Sequence, residues 1–202
     1  MEKVMKTSFT RAGIVFVALV LLMSIGSFVQ AEEKSKPKYE TISCTAFGQS
    51  TQLGQTFSVN IIIREYSDPS DKQILLDAFN KGGSQGLCNA VSKMPSKGRI
   101  AITGTVGYDV NYIREFPSAT SRKIRLVTDR PITFGEVWSN SRSMDYNLSI
   151  LELDIPNGKG EKGTGTLLPA AELQLNKKTN EIEIEAYKNP WRLANVIDWG
   201  EK

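Results

Sequence analysis

The sequence predicts an α+β fold that is predominantly antiparallel β, a sandwich or barrel of about eight strands with an inserted two-helix hairpin. Three observations predict it. Apolar and polar residues alternate with period two through most of residues 39–202. One stretch, 68–94, switches to helical spacing. The links between the alternating runs are mostly short, which sets successive strands side by side and antiparallel. Alternation alone leaves sandwich and barrel open.

Residues 1–31 precede that pattern and have the layout of a cleaved secretory signal. Lys3, Lys6 and Arg11 stand before an apolar run from Ile14 to Met23, and Val29-Gln30-Ala31 puts small residues where a signal peptidase reads. The competing reading is a retained membrane anchor, because the apolar character extends almost far enough to span a bilayer. No Cys follows the cleavage position, which speaks against a lipid-anchored protein. Residues 32–38 are polar and predict a flexible mature N-terminus, leaving 39–202 as a single β-rich domain. Nothing in the mature chain is apolar enough to predict a membrane span. The expected location is therefore periplasmic or extracellular.

Removing the leader changes the charge balance. Of 25 Lys plus Arg and 22 Asp plus Glu, it takes Lys3, Lys6, Arg11 and Glu2, so 22 and 21 remain and the net charge falls from +3 to +1. So near-neutral a domain gives no reason to expect nucleic acid as a partner.

In order along the mature chain, residues 39–47 read as a short strand containing Cys44, and 48–55 as a loop. Phe57, Val59, Ile61 and Ile63 alternate strongly. Asp68-Pro69 is a helix start, with Asp68 able to cap and Pro69 suited to the first turn. Ile74, Leu75, Ala78 and Phe79 form its stripe, Gly82-Gly83 ends it, and a second short helix carries Leu87, Cys88, Val91 and Met94 up to Pro95. Ile100 and Ile102 mark the next strand, and Val106, Tyr108, Val110 and Tyr112 are expected to share a face of the one after. Ile124 and Leu126 alternate with Lys123 and Arg125.

Leu148 and Ile150 point one way while Leu151, Leu153 and Ile155 point the other, so a β-bulge near Ile150 or burial on both faces is expected. Leu167, Ala171, Leu173 and Leu175 are expected on one side, with Pro169 at an edge or bulge. Glu181 to Glu185 alternate cleanly with Ile182 and Ile184, and Trp191, Leu193, Ile197 and Trp199 are expected to share a phase.

The composition excludes several chemistries. There is no His, so the commonest general base and zinc ligand is missing. Two Cys without His make a poor structural metal site, and neither metal nor cofactor is expected. Cys44 and Cys88 would form a disulfide closing a loop of about forty residues, worth roughly 4 kcal/mol in the chain-entropy description, or else lie apart as small buried hydrophobes. Residues 158–165 carry repeated Gly and Lys but lack the lysine spacing and the following helix of a phosphate loop. The row Glu181, Glu183, Glu185 is the wet face of a strand.

One segment stands out. Asp129, Arg130, Trp138, Arg142, Asp145 and Tyr146 form the densest cluster of charges and aromatics in the mature chain, between two strand-like runs. They would line a groove for a small ligand or an envelope protein. The competing reading is an ion-pair network that pins a long loop, with Asp129 paired to Arg130 or Arg142 to Asp145.

Residues 67–69 (Ser-Asp-Pro), 94–100 (Met-Pro-Ser-Lys-Gly-Arg-Ile), 128–132 (Thr-Asp-Arg-Pro-Ile) and 142–146 (Arg-Ser-Met-Asp-Tyr) together resemble a group of uncharacterised exported bacterial proteins. The likeness covers roughly residues 57–196. It implies a bacterial envelope setting and a single compact domain, and it brings no activity, cofactor or catalytic residue with it. The functional expectation is a non-catalytic binding module. The alternatives are a β-barrel carrier of an apolar ligand and a His-independent enzyme using carboxylates, Ser or Lys.

Overall fold

The computed structural model describes residues 38–132, 148–158, 160–176, 178, 181–188 and 190–201. They fall within one compact unit, Pro37–Lys202. The strands are β1 (Glu40–Gly48), β2 (Thr56–Ile63), β3 (Gly98–Ile102), β4 (Tyr108–Pro117), β5 (Ser121–Thr128), β6 (Leu148–Pro156), β7 (Gly163–Asn176), β8 (Glu181–Lys188) and β9 (Trp191–Glu201), with one helical element, α1 (Pro69–Val91), between β2 and β3.

The choice between sandwich and barrel is resolved by two pairings. The strands run in the order β6-β5-β4-β3-β2-β1-β9-β7-β8, and β6 also pairs with β7. Eight strands therefore close into an antiparallel barrel, and β8 extends outward from β7. Strand β7 makes this possible by its length. Its first half pairs with β9 through residues 163–167 and its second half with β8 through residues 170–176. Strand β7 runs close against β6 there, and a Cβ at Gly165 would come within 2.4 Å of the Glu152 carbonyl oxygen.

An eight-stranded barrel is just wide enough for its inward side chains to fill it. Ile42, Val59, Ile61, Ile100, Ile113, Leu126, Leu151, Leu167, Trp191 and Leu193 pack together inside, drawn from all eight strands of the wall. Trp191 is fully buried, with its ring 5.4 Å from that of Phe57.

A second core lies outside the wall, where Leu75, Leu87, Cys88 and Val91 of α1 pack on Tyr112, Val127, Leu148, Ile150, Leu168 and Leu173. The helix begins as its sequence implies. Asp68 accepts from the Asp71 backbone N–H, Asp71 returns the bond to the Asp68 N–H, and Pro69 stands in the first turn. The expected two-helix hairpin is a single helical element broken internally at Gly82 and Gly83, the latter at φ 58°, a conformation glycine adopts without penalty. The expected stripe is also rotated, since Leu75 and Leu76 are buried while Ile74 is 53% exposed.

Several phase expectations need correction, most of them for one reason. Of the two expectations for β6, burial on both faces holds: the strand alternates without interruption, Leu148 and Ile150 toward α1 and Leu151, Leu153 and Ile155 into the barrel, and the extra residue of the register shift lies in β7, between Leu168 and Ala171. That is the bulge expected at Pro169, and irregularities also occur where none was expected. A shift between Val110 and Tyr112 puts Val110 inside the barrel and Tyr112 outside, and Val106 sits in a turn, exposed. Leu167 faces the interior while Ala171 and Leu173 face α1. Asn195 adopts φ 51°, after which Val196 rather than Ile197 enters the core and Trp199 turns outward. Each bulge inserts a residue and flips every side chain beyond it.

No disulfide joins Cys44 and Cys88, and both are buried. Cys44 belongs to the barrel interior and Cys88 to the helix-side core, so a sheet wall separates the two clusters. Burial pushes the Cys44 thiol up to about 12.

Candidate functional site

The segment nominated by sequence is described only at its roots. Asp129 and Arg130 form a forked pair, Nε to Oδ1 at 2.9 Å and Nη2 to Oδ2 at 3.0 Å. The bond to Asp129 holds the Arg130 guanidinium above its ordinary pKa. Trp138, Arg142, Asp145 and Tyr146 lie outside the described residues. Beneath the Asp129–Arg130 pair is a knot of buried hydroxyls. Ser149 Oγ accepts from the Ile132 N–H at 2.6 Å and donates to the Pro169 carbonyl at 2.6 Å, while Thr128 Oγ1 accepts from the Ser149 N–H at 3.2 Å. It ties β5, β6 and β7 at the end of the barrel where this segment leaves and returns.

The opposite end holds a cluster that the sequence reading passed over. Glu40, Glu115, Arg122 and Asp198 each stand opposite a residue of the barrel interior: Ile63, Ile124, Ile155 and Ile42 respectively. All four are therefore on the inward phase, at the mouth. Arg122 donates to Glu40, to Glu115 at 3.1 Å and to Asp198 at 2.6 Å, and Tyr66 donates to Glu40 at 2.7 Å. Burial alone would lower the Arg122 pKa, but the bonds to Glu40 and Glu115 raise it above the ordinary value. Burial and then the Glu40 bond raise Tyr66 likewise. The signal was present in the sequence, because Arg122 continues the phase of Ile124 and Leu126.

The third feature is the outer wall on β4–β7. Register stacks its outward residues in three cross-strand rows. Tyr112, Val127, Ile150 and Leu168 form an apolar row beneath α1. Arg114, Arg125, Glu152 and Thr166 form the next row, and Phe116, Lys123, Asp154 and Thr164 the third. Beyond α1 these two polar rows open as a groove of about 490 Å³, lined by Phe116, Lys123, Arg125, Glu152, Asp154, Thr164 and Thr166 with Gly165 among them. Arg125 bonds Glu152 at 2.7 Å through Nε, and Lys123 lies 3.9 Å from Asp154. The Phe116 ring carries the Arg114 guanidinium at 5.0 Å and that of Arg125 at 5.7 Å.

Lys97 is a buried ammonium, and its bonds to Glu65 and Asp71 hold its pKa above the ordinary value, the opposite of what a catalytic lysine needs. Among the described residues no group of three His, Cys, Asp or Glu is arranged to hold a metal ion. At the mouth, the Arg122 guanidinium sits where the carboxylates converge. No helix among the described residues is long and apolar enough to cross a membrane. No protein-family model matches this chain, and neither the curated proteins nor the solved structures contain a match to it.

Proposed function

We propose that this chain is an exported, non-catalytic binding module that takes its ligand on the outer wall of the barrel, in the groove between Phe116 and Thr166. The observation that carries the reading is the contrast between a wall packed on its inside and open on its outside. Trp191 and the aliphatic side chains around it fill the interior. The groove offers both signs of charge, two hydroxyls and an aromatic ring on rigid strands.

A second reading, a carrier of an apolar ligand, draws support from the closed barrel itself. Its ligand would enter the small cleft of about 40 Å³ beneath α1, lined by Leu75, Leu87, Val91, Tyr112 and Val127, and α1 would have to lift to make room.

The deciding measurement is an NMR screen of 15N-labelled protein against chemically diverse small fragments. Hits are expected to shift the amides of residues 123–125, 152–154 and 164–166. Hits confined to the α1 cleft would favour the carrier, and hits absent from the outer wall would overturn the groove. Export is checked separately by the mass of the protein taken from its own host, expected to begin at Glu32.

A further inference from the structure

We propose that the hairpin joining β1 to β2, residues 48–55, is a lid on the end of the barrel where Thr128 and Ser149 stand, held shut at a cost and able to swing open as a unit.

Its position follows from one glycine. Ile42, Cys44 and Ala46 face the interior, so Gly48 falls on the inward phase at the end of β1. A Cβ there would run into the Gln52 carbonyl oxygen and lie 2.7 Å from the Gln52 Cβ. Gln52 therefore lies across the place that an inward side chain would take. Gly48 stands opposite Trp191, and Trp191 opposite Leu167, two residues before Pro169, whose carbonyl accepts from Ser149. The hairpin thus covers the same end as the hydroxyl knot, beside Trp191, whose ring meets that of Phe57.

Three features make the closed position costly. Gln52 is buried, and neither Oε1 nor Nε2 of its amide has a hydrogen-bond partner among the described residues. Ser50 sits at φ 53°, left-handed backbone that a residue with a side chain rarely adopts. Leu53, at the tip, is 82% exposed and gains little from packing. Opening would return the Gln52 amide to water and recover its lost hydration. The hairpin would also keep its own backbone bonds as it moved. The Gly48 N–H donates to the Gln55 carbonyl at 2.9 Å, the Gln52 N–H to the Gln49 carbonyl at 3.0 Å and the Gln55 N–H to the Gln52 carbonyl at 3.0 Å. What an open hairpin uncovers is the aromatic pair Trp191 and Phe57.

The test follows solvent exchange of the Trp191 indole N–H by NMR, with the Ile61 and Leu126 backbone amides as reporters of the barrel itself. In the unaltered protein the indole N–H should exchange faster than either amide, because the lid opens without unfolding the barrel. Gln52→Met keeps an unbranched side chain of similar length and removes the orphaned amide, so it should slow indole exchange about ten-fold. Gly48→Ala places a methyl group where Gln52 lies, so it should hold the lid open and speed indole exchange at least about ten-fold, while Ile61 and Leu126 stay protected. Unchanged indole exchange in either variant, or faster exchange in Gln52→Met, would overturn the proposal. Loss of protection at Ile61 and Leu126 in Gly48→Ala would overturn it too, by making the hairpin part of the barrel rather than a lid upon it.

Discussion

At one end of the barrel Arg122 gathers carboxylates from β1, β4 and β9, while at the other Thr128 and Ser149 join β5, β6 and β7 through neutral hydroxyls. Both arrangements close a mouth where the apolar interior would otherwise meet water. They differ in what they depend on. The hydroxyl knot joins neighbouring strands, carries no charge, and has each group within reach of backbone partners. The charged cluster joins the 115–122 hairpin to residues 40 and 198, far from it in the chain, and sets three carboxylates against one guanidinium. Partly buried charges hold a structure only while every partner is present. The neutral end should therefore tolerate change better than the charged end.

The largest expected effect tests that asymmetry directly. Arg122→Ala leaves Glu40, whose side chain is 11% exposed, facing Glu115 and Asp198 without a counter-charge. It should cost about 3 kcal/mol in urea unfolding, near the lower bound for a broken buried ion pair because the cluster is partly solvated. Adding Glu40→Gln should restore part of the loss. A cost no larger than that of the next variant would break the comparison.

Ser149→Ala is the matching change at the neutral end. It orphans the Ile132 N–H and the Pro169 carbonyl and should cost about 2 kcal/mol by the same measurement. It should also loosen the roots of the segment that follows Ile132, seen as faster amide exchange at Ile132.

The smallest effect is a pH dependence that only the charged end should show. The folded-state pKa of Tyr66 is raised above its ordinary 10.0. The unfolded chain therefore releases that proton first, and stability falls as pH climbs past 10. Cys44 adds a fall of the same sign, beginning near 9.0 and complete near its folded value of about 12. Measured in a Cys44→Ala background, Tyr66→Phe should flatten the remaining slope. An unchanged slope would detach Tyr66 from the closure.

Much of the fold is legible in the residues. Val59, Ile61 and Ile63 declare their inward face, and Asp68-Pro69 declares the helix start. Leu148 to Ile155 announces burial on both faces of its strand. Pro169 marks its own bulge. The flips at Val110 and Asn195 are not legible, because a bulge is decided by the register of the partner strand and leaves little trace in its own. The site divides in the same way. Arg122 in phase with Ile124 was visible as a charge on a buried face, but its three partners were not. Lys123 and Arg125 were visible as a wet face, and so were Glu152 and Asp154. That they stand in common rows with Phe116, Thr164 and Thr166 follows only from the β4–β7 pairing.

The amino-acid order by itself determined which residues seek the interior, where the helix begins and that no histidine takes part in either end, since these are properties of local composition and period. Closure of the barrel, separation of the two cysteines by a wall, and assembly of the groove were decided only in three dimensions. Each depends on which strand hydrogen-bonds to which, and in what register, and those pairings join residues that no local pattern relates.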